Sequence, residues 1–387
     1  MLTLLKNASV YAPEKIGVMD VLLADKRIAA IAPELPSLPD GLPSETIDLS
    51  GKHLIPGLID SHVHVSGGGG ESGPATRVPR IALSKLTKAG VTSCVGVLGT
   101  DSTTRTIRDL VACTLGLREL GIGAWCYTGS YQVPAPTLTG SIRDDIVYVD
   151  PILGLGELAL SDHRSSQPTL DEFLRIASDV YVAGMISGKG GTLHCHMGSG
   201  ERGFELIDQA LDKAELPARL YHPTHINRET WLFEDAKRLA GRGVTVDLTA
   251  FPDDGKTFLA AEAIQKWREA GLSMDKLTCS SDGAGCLPRF DEDGRMIEMG
   301  IGNPDTLLLA IQQLLADTQP LEEILPVFTS NVARQLGLTQ KGRLAVGMDA
   351  DLGVISPKGE LEQLWACGQR MIQDGTAVKC GLFETDQ

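Results

Sequence analysis

No stretch of this sequence approaches 18 uninterrupted apolar residues, so nothing in it is expected to span a membrane. The opening run MLTLLKNASVYAPEK lacks a basic start followed by a long apolar core, so no signal peptide is expected either. Cysteine forms no pattern: the eight residues (94, 113, 126, 195, 279, 286, 367 and 380) show no CxxC pair and sit mostly in apolar segments. They read as reduced thiols of a cytoplasmic protein. Positive charge is in short supply, with 35 Lys and Arg against 50 Asp and Glu and a net charge of −15. That argues against a general affinity for nucleic acid or an anionic membrane. It does not exclude an anionic substrate, because a few buried arginines can reverse the field locally. A nucleotide fingerprint is missing too: GGGGESG, after the first central strand, lacks the required spacing.

What is present fits one large domain and a smaller one, since 387 residues exceed a single minimal domain. A hydrophobic fraction of 42% with 22% charged residues is ordinary for a globular chain with a full core. Residues 1–54 hold short β-rich runs, and the stretch 343–387 has the same texture. Neither has enough apolar residues to fold alone, so the two ends are expected to pair into one small β domain. Between them, residues 55–342 alternate strand-like and helix-like segments. Eight strand candidates stand out: HLIPGLIDSHVHV, VTSCVGVLG, GAWCYTG, ILGLGELAL, GTLHCHMG, LYHPTHIN, GVTVDLTAF and LTCSSDGAG. Helical stretches such as FLRIASDVYVAG and FEDAKRLAGRG separate them. Eight such units closing on themselves predict an α/β TIM barrel.

Histidine is also scarce, with eight in all, yet several fall at the C-terminal ends of predicted strands, where TIM barrels build their sites. His62 and His64 end the first strand, and i, i+2 spacing puts both rings on one face. His196 ends the fifth strand, His225 the sixth and Asp282 the eighth. Imidazoles with a carboxylate suit zinc or a similar divalent ion. His194 shares a face with His196, so spacing alone does not separate those two. His53, His163 and His222 read as structural.

The string PGLIDSHVH, followed by His196, His225 and Asp282, resembles the amidohydrolase superfamily. HVHVSGGGGESGPATR, TGSYQVP, SDHRS, HMG, PTHINR and SSDG make the sequence more similar to the isoaspartyl dipeptidases, and the likeness covers essentially the whole chain. The resemblance implies two divalent ions, zinc, with His62, His64 and Asp282 on one and His196 and His225 on the other. It implies a bridging hydroxide as nucleophile and Asp282 as the proton shuttle. It places Tyr131 on the oxyanion, Glu71 on the substrate's ammonium, Arg164 and Arg228 on its carboxylates, and Gly69 and Thr100 in smaller contacts. The implied substrate is a small dipeptide carrying a β-aspartyl bond, and the implied assembly is a homo-oligomer.

Each of these residues has a plainer reading: Glu71 as a solvated loop residue, Arg164 paired with Asp162, Tyr131 as a strand-end core residue. Two positions depart from the family pattern. The bridging lysine is absent before SDHRS, and Glu157 stands in its place, with Gly156 able to permit a bulge that brings the shorter side chain closer. The rival is a site with no bridge and one metal. Cys286 replaces a serine that touches a substrate carboxylate, and a thiol is a weak donor. Deacylation of N-acyl amino acids and opening of cyclic amides are the competing reactions, and a non-catalytic binding protein is the competing class. A substrate without a free amine would leave Glu71 unpaired.

Overall fold

A computed structural model describes residues 1–253, 258–290 and 296–384, so 385–387 of the expected C-terminal segment lie outside it. Its centre is a ring of eight parallel strands, Leu58–Val63, Val91–Gly96, Gly123–Thr128, Ile152–Leu160, Thr192–Met197, Tyr221–Thr224, Val246–Thr249 and Leu277–Ser280. The first six pair in sequential order and the last two pair with each other. The amide of Ile226 donates to Asp247 O (3.3 Å) across one gap, and that of His64 to Gly283 O (2.8 Å) across the other. This closes the TIM barrel, and every position of these strands but one is buried. Burial on both faces explains why they read as near-continuous apolar runs rather than alternating ones.

Helices such as Leu170–Ser187, which opens on a capping box of Thr169 and Glu172, wrap the outside. Helix Ser330–Leu336 seals the N-terminal mouth, setting Val332, Ala333 and Leu336 against Ile59 and Leu153 near the strand starts. The C-terminal mouth is left for the site. No helix of the described residues is long and apolar enough to cross a membrane.

The chain ends build the small β domain, a nine-stranded sheet. Its seam is the antiparallel pairing of Leu352–Ile355 with His53–Pro56. Leu5, Val10, Val21 and Leu54 from the first segment share its core with Leu352, Val354 and Trp365 from the last. The run HLIPGLIDSHVHV, expected as one strand, is two. His53–Pro56 belongs to this sheet and Leu58–Val63 to the barrel. Gly57 makes the break possible: a Cβ there would lie 2.3 Å from Thr92 Oγ1, so no larger residue fits against the second barrel strand.

Candidate active site

Six of the expected metal-site side chains meet at the C-terminal mouth. Glu157 is the hub, with its carboxylate 3.1 Å from His196 Nδ1, 3.4 Å from His62 Nε2, 3.5 Å from His64 Nε2 and 3.6 Å from His225 Nε2. Asp282 Oδ1 lies 3.1 Å from His64 Nε2 and 3.5 Å from His62 Nε2. Two tetrahedral ligands about 2.1 Å from a zinc ion stand about 3.4 Å apart, so these spacings suit donors around metal. The described residues include two such groups, His62–His64–Asp282 and His62–Glu157–His225. His62 Nε2 and Asp282 Oδ1 are buried with no hydrogen-bond partner among the described residues. The donor set therefore fits divalent ions.

Glu157 reaches the ligands through a bulge. Leu193 pairs with Leu155 but Cys195 with Leu158, so three residues of the fourth strand oppose two of the fifth. The Gly156–Glu157 peptide within it is cis. A Cβ on Gly156 would come 2.7 Å from His194 Cβ, so the bulge needs glycine there. His225 and Asp282 both adopt left-handed φ, 63° and 54°, at the point where their strands end. Asn227 fastens the first of these turns by donating to Thr249 O and Phe258 O (2.9 and 2.8 Å). Thr249 Oγ1 meets His225 Nδ1 at 2.7 Å, which turns Nε2 toward Glu157.

The charges are set by this crowding. Burial opposes ionisation of Glu157, but His62, His196 and His225 outweigh it and hold the carboxyl well below its usual range. Burial also opposes charge on His62, but Glu157 and Asp282 outweigh it and raise the imidazole to about 9. Asp282 sits at about 2, with His64 and His62 overcoming its burial. His225 falls to about 3, chiefly through burial.

His64, Glu157, His196, His225 and Asp282 line a cavity of about 680 Å³ together with Gly69, Glu71, Thr100, Tyr131, Arg164, Arg228 and Cys286. Of the site residues expected from the sequence, all but the wholly buried His62 thus reach one chamber. The plainer reading of Arg164 is also present: its Nε and Nη2 fork onto Asp162 (3.0 and 2.8 Å), and only Nη1 reaches Glu71, at 3.5 Å. Arg228 keeps a buried Nε with no partner among the described residues. Tyr131 Oη is 2.8 Å from His196 Nδ1, and burial raises its phenol well above 10. Burial, then Glu71, pushes the Cys286 thiol up to about 12, so it remains protonated.

Asp162 was not read as a site residue, although its Oδ2 holds His196 Nε2 at 3.0 Å. An acidic residue two positions before a strand-end arginine was the available signal. Leu287, Met299 and Ile301 form an apolar wall from a hairpin after the eighth strand. No periodicity in that segment announced it.

The sequence profile of the amidohydrolase family matches residues 53–375, more than four-fifths of the chain. The chain belongs to the amidohydrolase family. It is a hydrolase, with the barrel and β domain of its structural relatives. One of these is the β-aspartyl dipeptidase of the thermophilic, keratin-degrading Fervidobacterium islandicum AW-1, solved with the dipeptide β-Asp-Leu. It is 41% identical over 99% of both chains, with a TM-score of 0.94. A second structure of that enzyme gives 40% identity over 99% of this amidohydrolase and 100% of that chain, with a TM-score of 0.91. Among curated relatives, an allantoinase of Desulfitobacterium hafniense is 39% identical over only 61 residues, 16% of this chain and 13% of that protein.

Proposed function

We propose that this amidohydrolase is an isoaspartyl dipeptidase that splits the β-aspartyl bond of dipeptides. The observation that carries the reading is a charge pattern: one cavity holds Glu71, Arg164 and Arg228 around the histidine–carboxylate cluster. A β-aspartyl dipeptide with a neutral second residue carries one ammonium and two carboxylates, which these three side chains answer. The likeness to the enzyme solved with β-Asp-Leu supports the same substrate class.

In this reading His62, His64 and Asp282 would hold one zinc ion and His196 and His225 a second, with the Glu157 carboxylate as a further ligand at the centre of the cluster. Two ions bound there would lower the pKa of a shared water toward neutrality and polarise the scissile carbonyl. Asp282, ionised because its pKa is about 2, takes the proton as water adds to the carbonyl carbon. It then passes that proton to the leaving amino nitrogen. The protonated Tyr131 phenol donates to the carbonyl oxygen as charge gathers there. Glu71 accepts from the substrate ammonium. Arg228 takes one carboxylate in a two-pronged grip, while Arg164, its fork engaged by Asp162, offers Nη1 to the other. Thr100 Oγ1, buried with no partner among the described residues, is a further donor, and Gly69 lines the same cavity. Cys286 turns its thiol to Glu71 and so orients that carboxylate rather than reading one on the substrate. A homo-oligomeric assembly and a cytoplasmic setting belong to the same proposal. The test is turnover of β-Asp-Leu without turnover of α-Asp-Leu, and equal rates on the two would remove the isoaspartyl assignment.

A further inference from the structure

Beneath the cluster runs a line of polar side chains that this chemistry does not use. Asp247, Thr278, His222 and His194 are all wholly buried, as is His62 above them. Asp247 accepts from three hydroxyls, Thr224 Oγ1 at 2.7 Å and Ser280 Oγ and Thr278 Oγ1 at 2.5 Å. Thr278 has one proton, and it is committed to that carboxylate. Its lone pairs therefore face His222 Nε2 at 2.9 Å, so that nitrogen carries the hydrogen.

Each remaining assignment then follows. A neutral imidazole has one N–H, so His222 Nδ1 accepts, and His194 Nδ1 donates to it at 3.0 Å. His194 Nε2 is thereby an acceptor, and His62 Nδ1 donates to it at 2.8 Å. With Nδ1 committed to His194, Nε2, which faces Glu157 and Asp282, is the nitrogen of His62 open to a metal ion. The Tyr127 ring, stacked on His194 with centroids 5.2 Å apart, keeps the line from turning.

We propose that Asp247, Thr278, His222 and His194 form a positioning relay that fixes the tautomer of His62 and presents its Nε2 to a metal ion. The relay deepens the metal-centre reading and rests on His62 being a ligand. It also separates the two histidines that spacing left equivalent: His196 stands at the site, and His194 one layer below it.

The first measurement is ring-nitrogen NMR of isotope-labelled histidines in the metal-loaded protein. The relay requires His222 as the Nε2–H tautomer and His194 as Nδ1–H, and the opposite form at either residue overturns it. The second is Thr278→Val, which keeps the side-chain shape and removes the hydroxyl far from any ligand. Metal affinity, measured by competition with a chelator, should fall about tenfold, and Thr278→Ser should restore it. A folded valine variant with wild-type affinity overturns the proposal, and if that variant does not fold, the wild-type tautomers decide. Neither readout involves a peptide. Failure of the relay is thus distinct from failure of the dipeptidase reading, which would appear only in turnover of β-Asp-Leu.

Discussion

Replacing Glu157 by glutamine keeps the side-chain volume and removes the charge around which four imidazoles gather. Those imidazole nitrogens lie 3.1 to 3.6 Å from its carboxylate oxygens. An ion between such donors sits about 2 Å from the oxygen, where the attraction of a dication for one negative charge is about 17 kcal/mol at an effective dielectric of 20. Most of that offsets the cost of burying the charges, and removing one partner of a buried charged pair leaves a net loss of roughly 3–5 kcal/mol. Affinity for the more weakly held ion, the one on His196 and His225, should therefore fall by about two to three and a half decades. Elemental analysis after dialysis should show about two ions per wild-type chain and about one in Glu157→Gln, with activity lost alongside. Wild-type activity should not respond to bicarbonate, because no lysine has to be carboxylated. A variant that keeps both ions and its rate, or a wild type stimulated by bicarbonate, would refute the bridging role.

Asp282→Asn should lower kcat by at least about 10²-fold with a smaller change in KM, and near-normal turnover would show that the proton travels elsewhere. Metal uptake should release protons: His62 in the metal-free cluster titrates at about 9, so below that pH an arriving ion must displace a proton. Apparent affinity should accordingly rise with pH up to about 9, by at most about tenfold per unit, and calorimetry in buffers of differing ionisation enthalpy counts the protons. Uptake at pH 7 without proton release contradicts that charge assignment.

Much of the site was legible because barrels place function at strand ends and strands repeat every two residues. His62, His64, His225 and Asp282 could be picked out on that basis, and resemblance to a family separated His196 from His194 and supplied Glu71, Tyr131 and the arginines. Glu157 could be placed by counting back from SDHRS, but its reach could not. That depends on a one-residue register shift between two strands, which the sequence of one strand does not display. Arg164 shows the same limit: its fork faces Asp162, just after a turn at Ser161 with a left-handed φ of 51° that the residue type does not announce. The relay was hidden because its links join residues far apart, His62 to His194 and His222 to Thr278, and each looks like an ordinary core residue on its own strand.

The most direct test of the account is the ratio of kcat/KM for β-Asp-Leu to that for α-Asp-Leu on the zinc-loaded protein. Moving the linkage from the β to the α carboxyl displaces the ammonium and the free carboxylate by about a bond length relative to Glu71 and Arg228. Misplacement of that size costs about 10²-fold or more. The account predicts a ratio of at least about 10², and equal values for the two peptides would contradict it.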